Sequence, residues 1–61
     1  MLTHRLQILR ILSLLDQQTA RIHAFLELAR DEFEQRMAFD ALAEINVCEV
    51  HARAALQTVR E

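Results

Sequence analysis

The sequence predicts an all-α protein: an antiparallel helical hairpin that assembles into a four-helix bundle. The 61 residues contain no Gly and no Pro, which argues against the tight turns of a small antiparallel sheet. Leu, Ala, Gln, Glu and Arg dominate the chain, and all five are strong helix formers. Apolar residues also recur at alternating spacings of three and four in both halves, the pattern of helices that pack along a seam.

The first half predicts a helix over about residues 3–30. A 4-3 seam of apolar side chains runs along it, and a threonine is its one polar member. Side chains at this spacing lie on one face of a helix. The predicted seam consists of Ile8, Leu12, Leu15, Thr19, Ile22, Leu26, Ala29 and Phe33.

The second half predicts a helix over about residues 32–60. Its seam is built mostly from small side chains, whereas the first seam is built from Leu, Ile and Phe. Large side chains opposite small ones allow two helices to approach closely and interdigitate. The predicted second seam consists of Ala38, Ala41, Ile45, Cys48, Ala52, Ala55 and Val59.

The turn between the two helices is predicted near Asp31. Asp31 followed three residues later by Glu34 has the spacing of a capping box, and Arg30 carries the charge that suits the end of the preceding helix. Two alternatives remain open from the sequence. One places the turn at residues 37–40 with Asp40 as the N-cap, and the other adds a break near residues 13–18 with Asp16 as a cap. The sequence favours the turn near Asp31, with residues 1–61 as a single helical-hairpin domain.

The apolar surface is wider than one seam needs, which predicts a partner. A two-helix chain of this length buries too little surface to be secure alone. Apolar residues outside the seams include Leu6, Leu9, Ile11, Leu14, Phe25 and Leu28 in the first half and Met37, Leu42, Val50 and Leu56 in the second. We therefore expect a homodimer, with another protein as a further partner. The expected interface residues are Leu6, Ile8, Leu9, Ile11, Leu12, Leu15, Ile22, Leu26, Phe33, Ile45, Cys48, Leu56 and Val59.

Charge and cysteine content limit the compartment and the partners. The chain contains seven Arg and nine acidic residues, for a net charge of -2. Residues 1–30 carry a net +2 and residues 31–61 a net -4, which favours packing of one half on the other or head-to-tail pairing of chains. No apolar run approaches the ~20 residues of a membrane span. With one cysteine and no intrachain disulfide, the sequence predicts a cytoplasmic protein.

One group of residues resembles a chemical site in its spacing. Asp40, Glu44, Cys48 and His51 fall along one stripe of the second helix. Glu44, Cys48 and His51 are therefore weak candidates for a zinc site, and Cys48 with His51 has the composition of a nucleophile and its base. Because the stripe occurs once and no Gly-rich loop accompanies it, the sequence favours Cys48 as a core residue. We expect no catalytic activity, no metal and no cofactor.

The function that the sequence favours is a small non-catalytic protein-interaction module: a regulator, adaptor or co-chaperone that acts through a helical apolar face as a homodimer. The alternative is a small RNA-binding regulator built as a dimeric four-helix bundle. In that case Arg10 and Arg21, on the polar side of the first helix, would contact phosphates. The acidic net charge weighs against nucleic acid.

Overall fold

The protein is an antiparallel hairpin of two helices. A computed structural model describes residues 3–59, with α1 at His4–Glu27 and α2 at Glu32–Thr58. The helices pack against each other along their length in a rod of 46 × 17 × 12 Å. The predicted all-α helical hairpin is confirmed. The expected end of the second helix at residue 60 lies outside the described residues.

Helix α1 begins where a threonine supplies an N-cap. The Thr3 hydroxyl accepts a hydrogen bond from the backbone N–H of Leu6 at 3.2 Å, which satisfies one of the free donors of the first turn. The helix continues unbroken through residues 13–18, so the alternative with a break there is wrong. Thr19 donates its hydroxyl proton to the Leu15 carbonyl at 2.9 Å. That bond satisfies its polar group within an otherwise apolar seam.

Helix α1 ends at Glu27, three residues earlier than expected, and it ends without glycine. The N–H of Leu28 donates to the Phe25 carbonyl at 3.0 Å, and that of Ala29 to the Leu26 carbonyl at 3.2 Å. Such i to i−3 bonds tighten the last turn. Leu28 has φ −97° and ψ 0°, so this end of the helix needs no positive φ. Arg30 therefore lies in the connection, and its predicted place at the helix end is wrong.

Helix α2 begins at the predicted cap. The Asp31 carboxylate accepts from the backbone N–H of Glu34 at 2.8 Å. Glu34 reaches one residue beyond the usual capping box, because its carboxylate accepts from the backbone N–H of Arg30 at 2.9 Å. The Arg30 guanidinium also lies 3.2 Å from Glu34. The turn near Asp31 is confirmed, and Asp40 lies within α2, so the alternative turn is wrong.

Removal of this cap should weaken the hairpin measurably. We expect Asp31→Ala to lower the free energy of unfolding by about 1 kcal/mol, as the loss of an N-cap typically does. Urea unfolding followed by circular dichroism measures the change. Asp40→Ala removes the same charge from an exposed position inside α2, and it should change the free energy of unfolding by less than about 0.5 kcal/mol. An equal effect of both substitutions would contradict a capping role for Asp31.

The seam of α1 follows the prediction up to its last residue. Its half-buried members are Ile8, Leu12, Leu15, Thr19, Ile22, Leu26 and Ala29. Phe33 belongs to α2, and 71% of it is exposed. Its predicted place in the α1 seam is therefore wrong, because α1 ends six residues before it.

The seam of α2 differs from the prediction in its phase. Cys48 and Ala55, which were predicted to face α1, are exposed. Leu42, Glu49 and Leu56, each one residue further along than Ala41, Cys48 and Ala55, are half-buried instead. Burying two leucines removes more apolar surface from water than burying a cysteine and an alanine. The Glu49 carboxylate keeps partial solvent access and lies 3.7 Å from the Arg53 guanidinium.

Candidate interaction surface

The hairpin leaves most of its apolar side chains in water. Within residues 3–59 the one buried residue is Ala38, at 3% exposure. The accessible surface is 5158 Å², whereas a folded monomer of 7.1 kDa typically exposes about 4,100 Å². The radius of gyration is 14.3 Å, against about 10.5 Å for a compact domain of this length. The hairpin therefore exposes roughly 1,100 Å² more than a compact monomer would.

One groove between the helices shows which residues of α1 and α2 lie at the same level along the rod. Thr19 and His23 of α1 line it together with Leu42, Asn46 and Glu49 of α2. Residues 19–23 thus lie beside residues 42–49 of the antiparallel helix. His23 and Asn46 lie on one side of the hairpin. The opposite side is formed by the residues on the other flank of each seam.

We call that opposite side the Cys48 face. It lies next to the seam between α1 and α2, and it carries large apolar side chains on α1 and mainly small ones on α2. All of its members are exposed except Ala41, which is half-buried. Its apolar residues are Ile11, Leu14, Phe25 and Leu28 of α1 and Met37, Ala41, Cys48 and Ala55 of α2, and Gln18, Arg21, Glu44 and His51 lie among them.

The other side, which we call the Phe39 face, carries more charge. It also has exposed apolar residues, but acids and arginines separate them along both helices. Such mixing is typical of a solvated surface. Its exposed members are Leu6, Leu9, Phe39, Ala43 and Val50 with Asp16, His23, Glu27, Arg30, Glu32, Arg36, Asn46 and Arg53.

Helix α2 has two overlapping seams. Ala38, Ile45, Ala52 and Val59 belong to both. The first seam also contains Leu42, Glu49 and Leu56, and it faces α1. The second also contains Ala41, Cys48 and Ala55, which belong to the Cys48 face. A helix in a bundle packs on two neighbours and needs an apolar arc of this width. The hairpin supplies α2 with one of these two neighbours.

The predicted interface residues divide between the hairpin seam and its surface. Eight are half-buried between the two helices: Ile8, Leu12, Leu15, Ile22, Leu26, Ile45, Leu56 and Val59. Five are exposed: Leu6, Leu9, Ile11, Phe33 and Cys48. Ile11 and Cys48 lie on the Cys48 face, whereas Leu6 and Leu9 lie on the Phe39 face. Sequence reasoning placed Leu14, Phe25 and Met37 in the wide apolar arc but not among the interface residues.

The candidate residues for metal binding and catalysis are also exposed. Glu44, Cys48 and His51 lie along the Cys48 face with open solvent around them. Within residues 3–59 no three His, Cys, Asp or Glu side chains converge as a metal site requires. Cys48 and His51 occupy the same helix surface, and no loop lies beside them in the hairpin.

Arg10 and Arg21, the candidate contacts to nucleic acid, are both exposed on α1. They are eleven residues apart, close to three helical turns, so they project from the same side of the helix about 16 Å apart. Arg10 borders Ile11 and Leu14, and Arg21 lies on the Cys48 face. The two arginines thus adjoin the apolar surface.

Comparison with family models, with curated proteins and with solved structures gives no match to the chain. Neither of the helices in the described part combines the length and the apolar character that a membrane crossing requires.

Proposed function

We propose that this protein is a non-catalytic protein-interaction module, of the regulator, adaptor or co-chaperone kind, which works through its exposed helical surface as a homodimer. The observation that carries the proposal is the mismatch between composition and burial. The chain is 52% hydrophobic, yet one alanine is the extent of the buried core over residues 3–59. An exposed apolar surface of this extent is characteristic of sites that bind other proteins.

The kind of residue on the surface supports the same class of function. Met37, Phe25 and Leu28 are 53%, 44% and 79% exposed, and Met and aromatic side chains are enriched where proteins meet. A two-helix rod offers a groove rather than an enclosed pocket, and helix-in-groove docking uses apolar side chains at i, i+3, i+4 and i+7. Ile11 and Leu14 have the i, i+3 part of that spacing, and Phe25 and Leu28 repeat it fourteen residues later.

Thermal unfolding at several protein concentrations tests the proposal. If the folded form is a dimer, a hundredfold increase in concentration adds about 2.7 kcal/mol of stability by mass action. The midpoint should then rise by roughly 10 °C for a 122-residue assembly. Circular dichroism at 222 nm in cells of different path length measures it. A folded chain with the same midpoint at every concentration would contradict the homodimer.

A second candidate is RNA binding, favoured by the exposed arginine pair on one side of α1. If phosphate contacts drive it, mobility of a mixed RNA pool should shift at low salt and lose the shift steeply between 50 and 200 mM salt. Arg10→Glu should then abolish the shift. Absence of binding at 50 mM salt would eliminate this candidate.

A further inference from the structure

We infer that a second copy of this chain docks on the Cys48 face, with α1 of each copy lying antiparallel against α2 of the other. The inference rests on the proposed homodimer and specifies its geometry. It names the face that is covered, the pairing of helices across it, and one ion pair that forms twice. Three observations carry it: the excess area, the sizes of the side chains on the two helices, and the placement of two charges.

The area is sufficient for a stable interface. Each hairpin has an accessible surface of 5158 Å², which is roughly 1,100 Å² more than a compact monomer of its mass exposes. Two copies together could bury about 2,200 Å², above the 1,200–2,000 Å² of a standard specific interface. The Cys48 face is also the less charged of the two sides, with Arg21 and Glu44 at its middle. A second copy is therefore large enough to account for the exposed apolar surface.

The sizes of the side chains are complementary between the two helices. The groove that pairs residues 19–23 with residues 42–49 places Phe25 at the level of Ala41 and Ile11 at the level of Ala55. If α1 of one copy lies on α2 of the other at these same levels, Phe25 and Ile11 each meet an alanine, while Leu28 comes to the level of Met37. Such alternation is how helix layers interdigitate. Pairing α2 with α2 would instead set the small residues opposite each other.

Two unpaired charges distinguish the possible arrangements. Arg21 and Glu44 are exposed on the Cys48 face, and neither forms an ion pair within residues 3–59. Both lie near the middle of the hairpin, at the same level, on its opposite edges. A two-fold axis parallel to the helices brings Arg21 of each copy opposite Glu44 of the other. A perpendicular axis would bring Arg21 near Arg21 and Glu44 near Glu44, which is unfavourable.

Charge reversal at these two positions tests the arrangement in the full-length chain. We expect Arg21→Glu and Glu44→Arg each to raise the dimer Kd about tenfold at low salt, since each replaces two attractive contacts with two repulsive ones. The double variant should return to within about threefold of the natural chain. Sedimentation equilibrium measures the Kd. Arg36→Glu makes the same change of net charge as Arg21→Glu but lies outside the Cys48 face, and it should leave the Kd within about twofold.

The outcomes separate this inference from the proposed function. If the natural chain is a dimer but the single variants dimerise equally well, or the double variant fails to recover, the arrangement is wrong and the homodimer stands. If the natural chain is a folded monomer, both fail. Cys48 supplies an independent check, because it is exposed in the hairpin and covered in the dimer. Its modification by a thiol reagent should slow at least fivefold as concentration crosses the Kd, and an unchanged rate would overturn the choice of face.

Discussion

Leu12→Asp and Leu15→Asp should each unfold the protein. Both leucines lie half-buried between α1 and α2, where an ionised carboxylate would lose water without gaining a partner. The expected cost is about 3 kcal/mol or more. A two-helix chain with so little buried surface lies at the low end of the roughly 3–9 kcal/mol expected for 61 residues. We expect loss of most of the helical signal at 222 nm at 25 °C.

Ser13→Asp is the matched control for these two variants. Ser13 lies between the two leucines in sequence but is exposed on the outer surface of α1. The same aspartate there should alter stability by less than about 0.5 kcal/mol. Retention of helicity and mass by Leu12→Asp or Leu15→Asp would show that the α1 seam does not hold the hairpin together.

Phe25→Asp should dissociate the dimer, because Phe25 is exposed on the Cys48 face and lies outside the seam between α1 and α2. Phe25 is 44% exposed on the Cys48 face, and Phe39 is 57% exposed on the opposite face at the same level of the rod. Central aromatic side chains of an interface commonly contribute 2 kcal/mol or more to binding. Because a two-fold dimer contains the contact twice, we expect the Kd to rise at least a hundredfold.

Phe39→Asp provides the comparison, because it removes the same side chain and adds the same charge. It should change the Kd by less than about threefold. Light scattering of both variants at one concentration above the Kd of the natural chain distinguishes them. Dissociation by Phe39→Asp with no effect of Phe25→Asp would show that the Phe39 face is the one covered.

The elements that local signals specify could be predicted from the sequence. Asp31 and Glu34 placed the turn because capping is a contact among neighbouring residues. The α1 seam was correct from Ile8 to Ala29 because one set of large side chains dominates that helix. The end of α1 was less accurate, since without Gly or Pro no residue marks it, and the helix ends through two backbone hydrogen bonds.

The phase of the α2 seam could not be read from hydropathy alone. Ala41, Cys48 and Ala55 form a regular apolar row, yet Leu42, Glu49 and Leu56 lie against α1. Periodicity counts apolar positions, whereas packing of two helices favours the phase that buries the most area. The row that contains Cys48 has the spacing of a second helix–helix contact. Hydropathy therefore indicates this row even though it does not face α1.

The candidate interaction surface was also predicted only in part, because the sequence pattern does not show which residues of the two helices lie at the same level. Sequence reasoning expected a wide apolar arc and a partner, and it included Ile11 and Cys48 among the interface residues. It placed Arg21 with the contacts to nucleic acid and Glu44 with the metal candidates. Arg21 and Glu44 lie at the same level because of the antiparallel register of the hairpin, in which residues 19–23 lie beside residues 42–49.

We propose that this hairpin is half of a two-copy assembly. Light scattering behind size exclusion, across a hundredfold range of concentration and with circular dichroism on the same fractions, tests it most directly. We expect a helical species of twice 7.1 kDa that dissociates only at the lowest concentrations. A helical species of 7.1 kDa throughout the range would contradict it.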